Sequence, residues 1–340
     1  MTRFTKKMSG PELTDKSAAP RIPITVLTGF LGTGKTTLLR AYLEEQTPGM
    51  VAVVINEYGS TQIDGDLVAF SGFTAAIETT VGCLCCTVSG DVLETLAAFS
   101  RAISDGEMAP IGQVIIETTG LADPMSLVHA LKTAPDLAAV YRFDRTVTLV
   151  DAIKGEHWIE KFPECRHQIL LADIVILSKT DLIDDPISKR ELHNLKTQIQ
   201  QLNPVAEVID AADQTAIVLL DPSAMHAGAQ LTRLPEQSAH RHHHAHGVES
   251  FTVEINPDLS INALKRNLIR LGEHLGRDLL RVKGFIAGSK TDHDSELVQG
   301  VGGQFEFTSA PPRADNRSEL VFITNAIDRD AALIALEATS

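Results

Sequence analysis

The chain has 340 residues, 44% hydrophobic and 22% charged, the balance of an ordinary globular protein long enough for two domains. A formal net charge of −14 argues against non-specific nucleic-acid binding, and no apolar run approaches the roughly 20 residues that cross a bilayer. Residues 1–20 carry Lys6 and Lys7 but no apolar core of a secretory signal, so they read as a disordered tail on a cytoplasmic protein.

The first element is a β-branched, apolar run from Ile22 to Leu27, a buried strand. It leads into Gly29-Phe30-Leu31-Gly32-Thr33-Gly34-Lys35-Thr36, which fits G-x-x-x-x-G-K-[ST], and Leu39 and Leu43 then follow at helical spacing. Strand, glycine-rich loop and helix together form the context that a phosphate-binding loop requires. The glycines let backbone N–H groups wrap the phosphates, and the helix presents its positive end to them. The nucleotide-binding set is therefore Gly29, Gly32, Thr33, Gly34, Lys35, Thr36 and Thr37. Lys35 is expected at the β- and γ-phosphates and Thr36 on Mg²⁺.

Residues 50–55 form a second buried strand, ending in Asn56-Glu57-Tyr58-Gly59 and a polar stretch with a turn at Asp64-Gly65. Acidic residues at the carboxyl end of such a strand lie where open α/β sheets bind ligands, so Glu57 and Asp64 are candidates for sensing the nucleotide. A short apolar piece at 77–81 runs into Gly82-Cys83-Leu84-Cys85-Cys86. Three of the four cysteines are crowded here, whereas a disulfide framework would spread them. Thiolates suit Zn²⁺ and other borderline or soft metals, and three leave a tetrahedral ion one ligand short, which suits metal that is picked up and released.

A helix over about 90–104 buries Val92, Leu96 and Phe99, and a strand over 111–117 closes with Glu117-Thr118-Thr119-Gly120. There a hydrolase places a carboxylate near Mg²⁺ and a glycine amide near the γ-phosphate, so Glu117 and Gly120 join Lys35 and Thr36 as catalytic candidates. A helix at 124–131 and strands at 146–151 and 174–177 come next. The last ends in Ser178-Lys179-Thr180-Asp181, an approximation to N-K-x-D, in which the Asp accepts hydrogen bonds from guanine and the Lys stem packs along the ring. A helix over 187–202 and a strand at 206–209 complete an α/β alternation that predicts a doubly wound, mostly parallel sheet. Cys165, His129 and Trp158 read as core or surface residues.

Residues 222–247 lack any hydrophobic period and carry His240, His242, His243, His244 and His246, a solvated imidazole cluster able to capture first-row metals. From Val248 strands outnumber helices, which predicts a smaller α+β domain. The organisation expected is a tail at 1–20, a P-loop domain at 21–215, a His-rich linker at 216–247 and the α+β domain at 248–340.

In their order, the loop at 29–36, Asn56-Glu57-Tyr58-Gly59, Gly82-Cys83-Leu84-Cys85-Cys86, Glu117-Thr118-Thr119-Gly120-Leu121-Ala122-Asp123-Pro124 and Ser178-Lys179-Thr180-Asp181 resemble the CobW-like metallochaperone GTPases among the P-loop NTPases. Arg281-Val282-Lys283-Gly284 and Ser318-Glu319-Leu320-Val321-Phe322-Ile323 are similar to that family's C-terminal domain, so the likeness spans about 21–325. One position departs: Ser178 stands where many relatives have Asn. The resemblance implies slow, Mg²⁺-dependent GTP hydrolysis coupled to delivery of a transition metal to a client metalloprotein, with a homodimer as a possible assembly. Zinc is the first expectation; cobalt for cobalamin synthesis, or metal insertion into a nitrile hydratase, is the alternative. Two rivals remain. One is a metal store with incidental NTPase activity. The other is an ATP-dependent kinase, against which Asp181 speaks.

Overall fold

The computed structural model describes residues 21–46, 50–56, 76–78, 87–211, 220–222, 242–243, 247–255, 260–287, 295–311, 317–327 and 329–337. The tail at 1–20, Glu57, Asp64, Cys83, Cys85, Cys86, His240, His244 and His246 lie outside the described residues.

Seven strands form one sheet: β1 (Ile22–Gly29), β2 (Val51–Asn56), β3 (Ala76–Glu78), β4 (Gln113–Thr118), β5 (Tyr141–Asp151), β6 (Ile174–Ser178) and β7 (Glu207–Asp210). Their order is β3-β2-β4-β1-β5-β6-β7, and every pairing is parallel. The runs in β1, β4 and β6 are buried on both faces, which explains why they show no alternation in sequence. Helices lie on both faces. Ile24, Val26, Val114 and Ile116 face α2 (Thr87–Ser104) and α3 (Pro124–Thr133), while Leu27, Ile115 and Val147 face α1 (Lys35–Glu45). This is the doubly wound α/β sheet expected, and among the described strands it is wholly parallel.

Four helices are absent from the sequence-based expectation or begin earlier than it. A single turn, α4 (Pro135–Ala138), precedes β5, and α5 (Gly155–Lys161) and α6 (Pro163–Leu170) follow it. Each of these three is short, and Pro163 separates the latter two, so no period builds up over a window long enough to read. The fourth, α7 (Pro186–Leu202), starts at the Asp185 cap, whose carboxylate accepts from the N–H groups of Ile187 and Ser188.

The second unit is an antiparallel sheet of β8 (His242–His243), β9 (Val248–Glu254), β10 (Leu279–Ile286), β11 (Ser295–Val301), β12 (Gln304–Ala310) and β13 (Glu319–Asn325), in the order β12-β11-β10-β13-β9-β8. Helices α8 (Ile261–Leu275) and α9 (Arg329–Glu337) cover one face. Residues 242–243 fall in the span expected to be linker, yet their backbone pairs with Ser250 and Glu249 at the sheet edge. The other face meets the parallel-sheet domain: Ile323 packs with Val150 and Leu170, and Val301 packs with Met125 and Val128. Arg281, 1% exposed, reaches across to the Asp173 carboxylate and donates to the Leu171 carbonyl. No helix among the described residues is long and apolar enough to cross a membrane.

Candidate functional site

The carboxyl ends of β1 and β4 meet at the glycine-rich loop. Gly29, Gly32 and Gly34 have φ of 141°, 70° and 94°, backbone conformations that a side chain disfavours. At Gly29 there is no room either, since a Cβ would stand 2.4 Å from the Leu149 carbonyl oxygen. Thr33 is buried and closes the loop by donating from its hydroxyl to the Phe30 carbonyl at 2.9 Å. Helix α1 begins at Gly34 with no side-chain cap and no acidic residue in its first turn, so its positive end faces the loop; Thr37 sits exposed on that turn. The buried Lys35 ammonium folds back and donates to the Gly29 and Phe30 carbonyls at 2.8 and 3.2 Å.

Thr36 donates from its hydroxyl to Glu117 Oε1 at 2.8 Å, uniting two residues 81 positions apart. Next to it the Thr118 hydroxyl donates to Thr28 at 2.8 Å. Gly120 lies against the loop: a Cβ there would stand 2.7 Å from the Leu31 backbone nitrogen. Asp123 then caps α3, accepting from the Met125 N–H at 2.9 Å. Lys35, Thr36, Glu117 and Gly120 therefore do converge.

Lys179 and Asp181 stand on the same edge, beyond β5. Asp181 is exposed on a single 3₁₀ turn, Thr180–Leu182, and the Ser178 hydroxyl turns inward to the Val150 carbonyl at 3.4 Å. Sequence reasoning misses four participants. Asp151, fully buried at the end of β5, accepts from Lys179 Nζ at 2.5 Å and from the N–H groups of Ile153 and Lys154 at 2.9 and 3.0 Å. Gln168, 1% exposed, donates to the Gly120 and Ala122 carbonyls. Trp158 packs on Phe30 of the loop with ring centroids 5.0 Å apart, and Phe162 does so at 4.7 Å. Asp151 had a signal available, since it ends an apolar run as Glu117 does; Gln168, Trp158 and Phe162 had none.

Among the described residues no group of three or more His, Cys, Asp or Glu is placed to hold a metal ion. The described cysteine, Cys165, is a buried free thiol, and burial, with Glu164 nearby, pushes it up to about 12, so it stays protonated. His242 and His243 are placed only by their backbone register. Glu78, five residues before Cys83, ends β3, and register sets Glu78 opposite Ile55, Ile55 opposite Glu117 and Glu117 opposite Leu27.

Comparison with known proteins gives the same outline. Residues 23–210 match the model of the CobW/HypB/UreG nucleotide-binding domain, and residues 248–340 match the cobalamin synthesis protein CobW C-terminal domain. The chain is 29% identical over 362 aligned positions to the zinc chaperone CobW of Sinorhizobium sp, covering 94% of this chain and 97% of that one. It is 28% identical to the zinc chaperone YjiA of Escherichia coli K12, covering 89% and 93%. The solved Zn(II)-bound YjiA GTPase from E. coli shares the fold, with a TM-score of 0.64, 24% identity and 93% and 98% of the two chains covered. With the nucleotide loop, its Thr36–Glu117 contact and both domain matches in place, this chain belongs to the CobW/HypB/UreG family of nucleotide-binding proteins.

Proposed function

We propose that this protein is a Mg²⁺-dependent GTPase that binds a transition metal, zinc before cobalt, through Cys83, Cys85 and Cys86, and passes it to a client metalloprotein. The relatives named as zinc chaperones support that reading. Thr36 and Glu117 present a hydroxyl and a carboxylate 2.8 Å apart, hard oxygen donors that fit Mg²⁺. Bound there, Mg²⁺ neutralises charge on the phosphates. Lys35 exchanges the Gly29 and Phe30 carbonyls for phosphate oxygens, and Gly120 offers its backbone N–H to the terminal phosphate. Asp181 accepts from the guanine edge while Lys179 lies along the ring. Glu57 and Asp64 sense the nucleotide, and the histidines at 240–246 supply a weaker, auxiliary metal site.

One observation carries the coupling. The strand row Glu78–Ile55–Glu117 sets Glu78, five residues before Cys83 in the chain, two strands from Glu117, about 10 Å at ordinary strand spacing. Helix α2 begins at Thr87, the residue after Cys86. A shift at Glu117 on hydrolysis is therefore close enough to change how the three thiolates converge.

Metal affinity is expected to be higher with a GTP analogue and Mg²⁺ than with GDP, by about 5–150-fold, as allosteric couplings of 1–3 kcal/mol give. Competition against a calibrated zinc chelator in the two nucleotide states measures it. Equal affinity in both would remove the chaperone reading and favour a metal store.

A further inference from the structure

We infer that Gln168 is a positioning residue for hydrolysis: its side-chain amide holds the Gly120 and Ala122 carbonyls and so sets the Glu117-to-Asp123 loop in place. The inference rests on the GTPase reading above and deepens it.

Gln168 lies on α6, is 1% exposed and turns its side chain toward the Glu117-to-Asp123 loop. Its Nε2 donates to the Gly120 carbonyl at 3.1 Å and to the Ala122 carbonyl at 3.1 Å. A carboxamide nitrogen has two N–H donors, and here they serve two carbonyls of one turn, those on either side of Leu121. Asn is a methylene shorter, and a carboxylate at that place would face two carbonyl oxygens with no proton to offer. Gln168 is itself fixed, because the Thr148 hydroxyl on β5 donates to its backbone carbonyl at 2.9 Å.

Across the loop Gly120 has no slack. A Cβ would meet Leu31 at 2.7 Å, and the Ala122 N–H closes the turn on the Thr119 carbonyl at 3.1 Å. The loop is thus held between the phosphate-binding loop on one side and the Gln168 amide on the other. Holding the Gly120 carbonyl fixes the Gly120–Leu121 peptide plane, and with the Ala122-to-Thr119 turn this restricts the dihedrals that aim the neighbouring Gly120 N–H at a terminal phosphate. A donor set that needs no rearrangement at the moment of reaction lowers the barrier, whereas a loose one loses rate with little change in ground-state binding.

The test uses the full chain with Gln168→Met, which keeps the length and removes both donors, and Gln168→Glu. Single-turnover GTP hydrolysis in Gln168→Met is expected to fall about 10- to 100-fold while KM and fluorescent-GDP affinity stay within about threefold. In the GDP-bound protein, amide hydrogens of residues 120–123 are expected to exchange at least about tenfold faster than in the wild type. Gln168→Glu is expected to be slow near pH 8 and to recover partly near pH 6, where a carboxyl buried against two carbonyls holds its proton and can donate again. Wild-type turnover with wild-type exchange in Gln168→Met would overturn the inference. So would parallel loss of turnover and GDP binding in both variants, because Gln168 would then hold only the fold. Should the wild type hydrolyse no GTP, the GTPase reading falls while the exchange rates still decide what Gln168 holds.

Discussion

Asp151 shows how a single carboxylate can organise the base side of the site. Burial of a charge is tolerated only when every oxygen is partnered, and here Oδ1 takes two backbone N–H groups while Oδ2 takes the Lys179 ammonium. Lys179 sits at φ 61°, a left-handed conformation that costs a residue with a side chain about 1–3 kcal/mol, so the ion pair is part of what keeps it there. Asp151→Asn leaves the backbone contacts largely in place and releases Lys179. If Lys179 lies along guanine as proposed, preference for GTP over ATP should drop about tenfold, the worth of roughly 1.4 kcal/mol. Competitive binding of GTP and ATP to the variant measures this, and an unchanged ratio would detach Asp151 from base recognition. The apolar run ending in Asp151 was visible in the chain; its pairing with Lys179 was not, because 28 residues and a whole helical excursion separate them.

Among the elements, α8 and the β11–β12 hairpin depend most on close approach. Ser260 caps α8 by accepting from the Ala263 N–H, and Leu264, Leu268 and Leu271 line its buried face at spacings of four and three. That pattern is why the helix could be read from sequence. The hairpin turns at Gly302 and Gly303, with φ of 56° and 76°, the left-handed pair favoured in two-residue turns. Gly272 of α8 rests on that turn, and a Cβ there would stand 2.0 Å from the Gly303 carbonyl oxygen and 2.9 Å from the Phe305 ring. On an isolated helix Gly→Ala gains about 1 kcal/mol. Here Gly272→Ala must push helix from hairpin, and a net loss of about 1–3 kcal/mol is expected in urea unfolding. A stabilised variant would show that the helix has room to move.

For the molecule as a whole, the two domains meet through a buried set of charges. Burial pushes Asp173 up, but Arg281 and Lys283 more than offset it and hold its carboxyl below the usual range. Lys283, 3.7 Å from Asp173, is pulled down by burial in spite of that partner. Lys132 lies at the same junction, its Nζ over the Phe143 ring and 3.5 Å from the Gln304 carbonyl. Burial takes it down to about 8, while Glu306 and Asp173 resist the shift and Arg281 adds to it. Between about 8 and 10.5 the unfolded chain keeps this proton and the folded chain has lost it, so stability from this group rises with pH. The wild type should therefore gain about 2 kcal/mol relative to Lys132→Met between about pH 7.5 and pH 9.5. Parallel stability curves for the two proteins would mean that the junction is wetter than its packing.

The nucleotide loop, the parallel alternation and the division into two units were all legible in the chain because each rests on neighbours in sequence. Residues 29–36 form their loop from glycines spaced within one turn, and β1, β4 and β6 declare themselves by unbroken apolar runs that only a sheet covered on both faces can bury. Short α5 and α6 carried too few turns for a period. Contacts between distant segments could come only from the folded chain: Thr36 with Glu117, Gln168 with Gly120, Trp158 with Phe30 and Arg281 with Asp173. Composition and spacing specify which residues want burial or a partner, but the strand order and the docking of one domain on the other decide which partner each one finds.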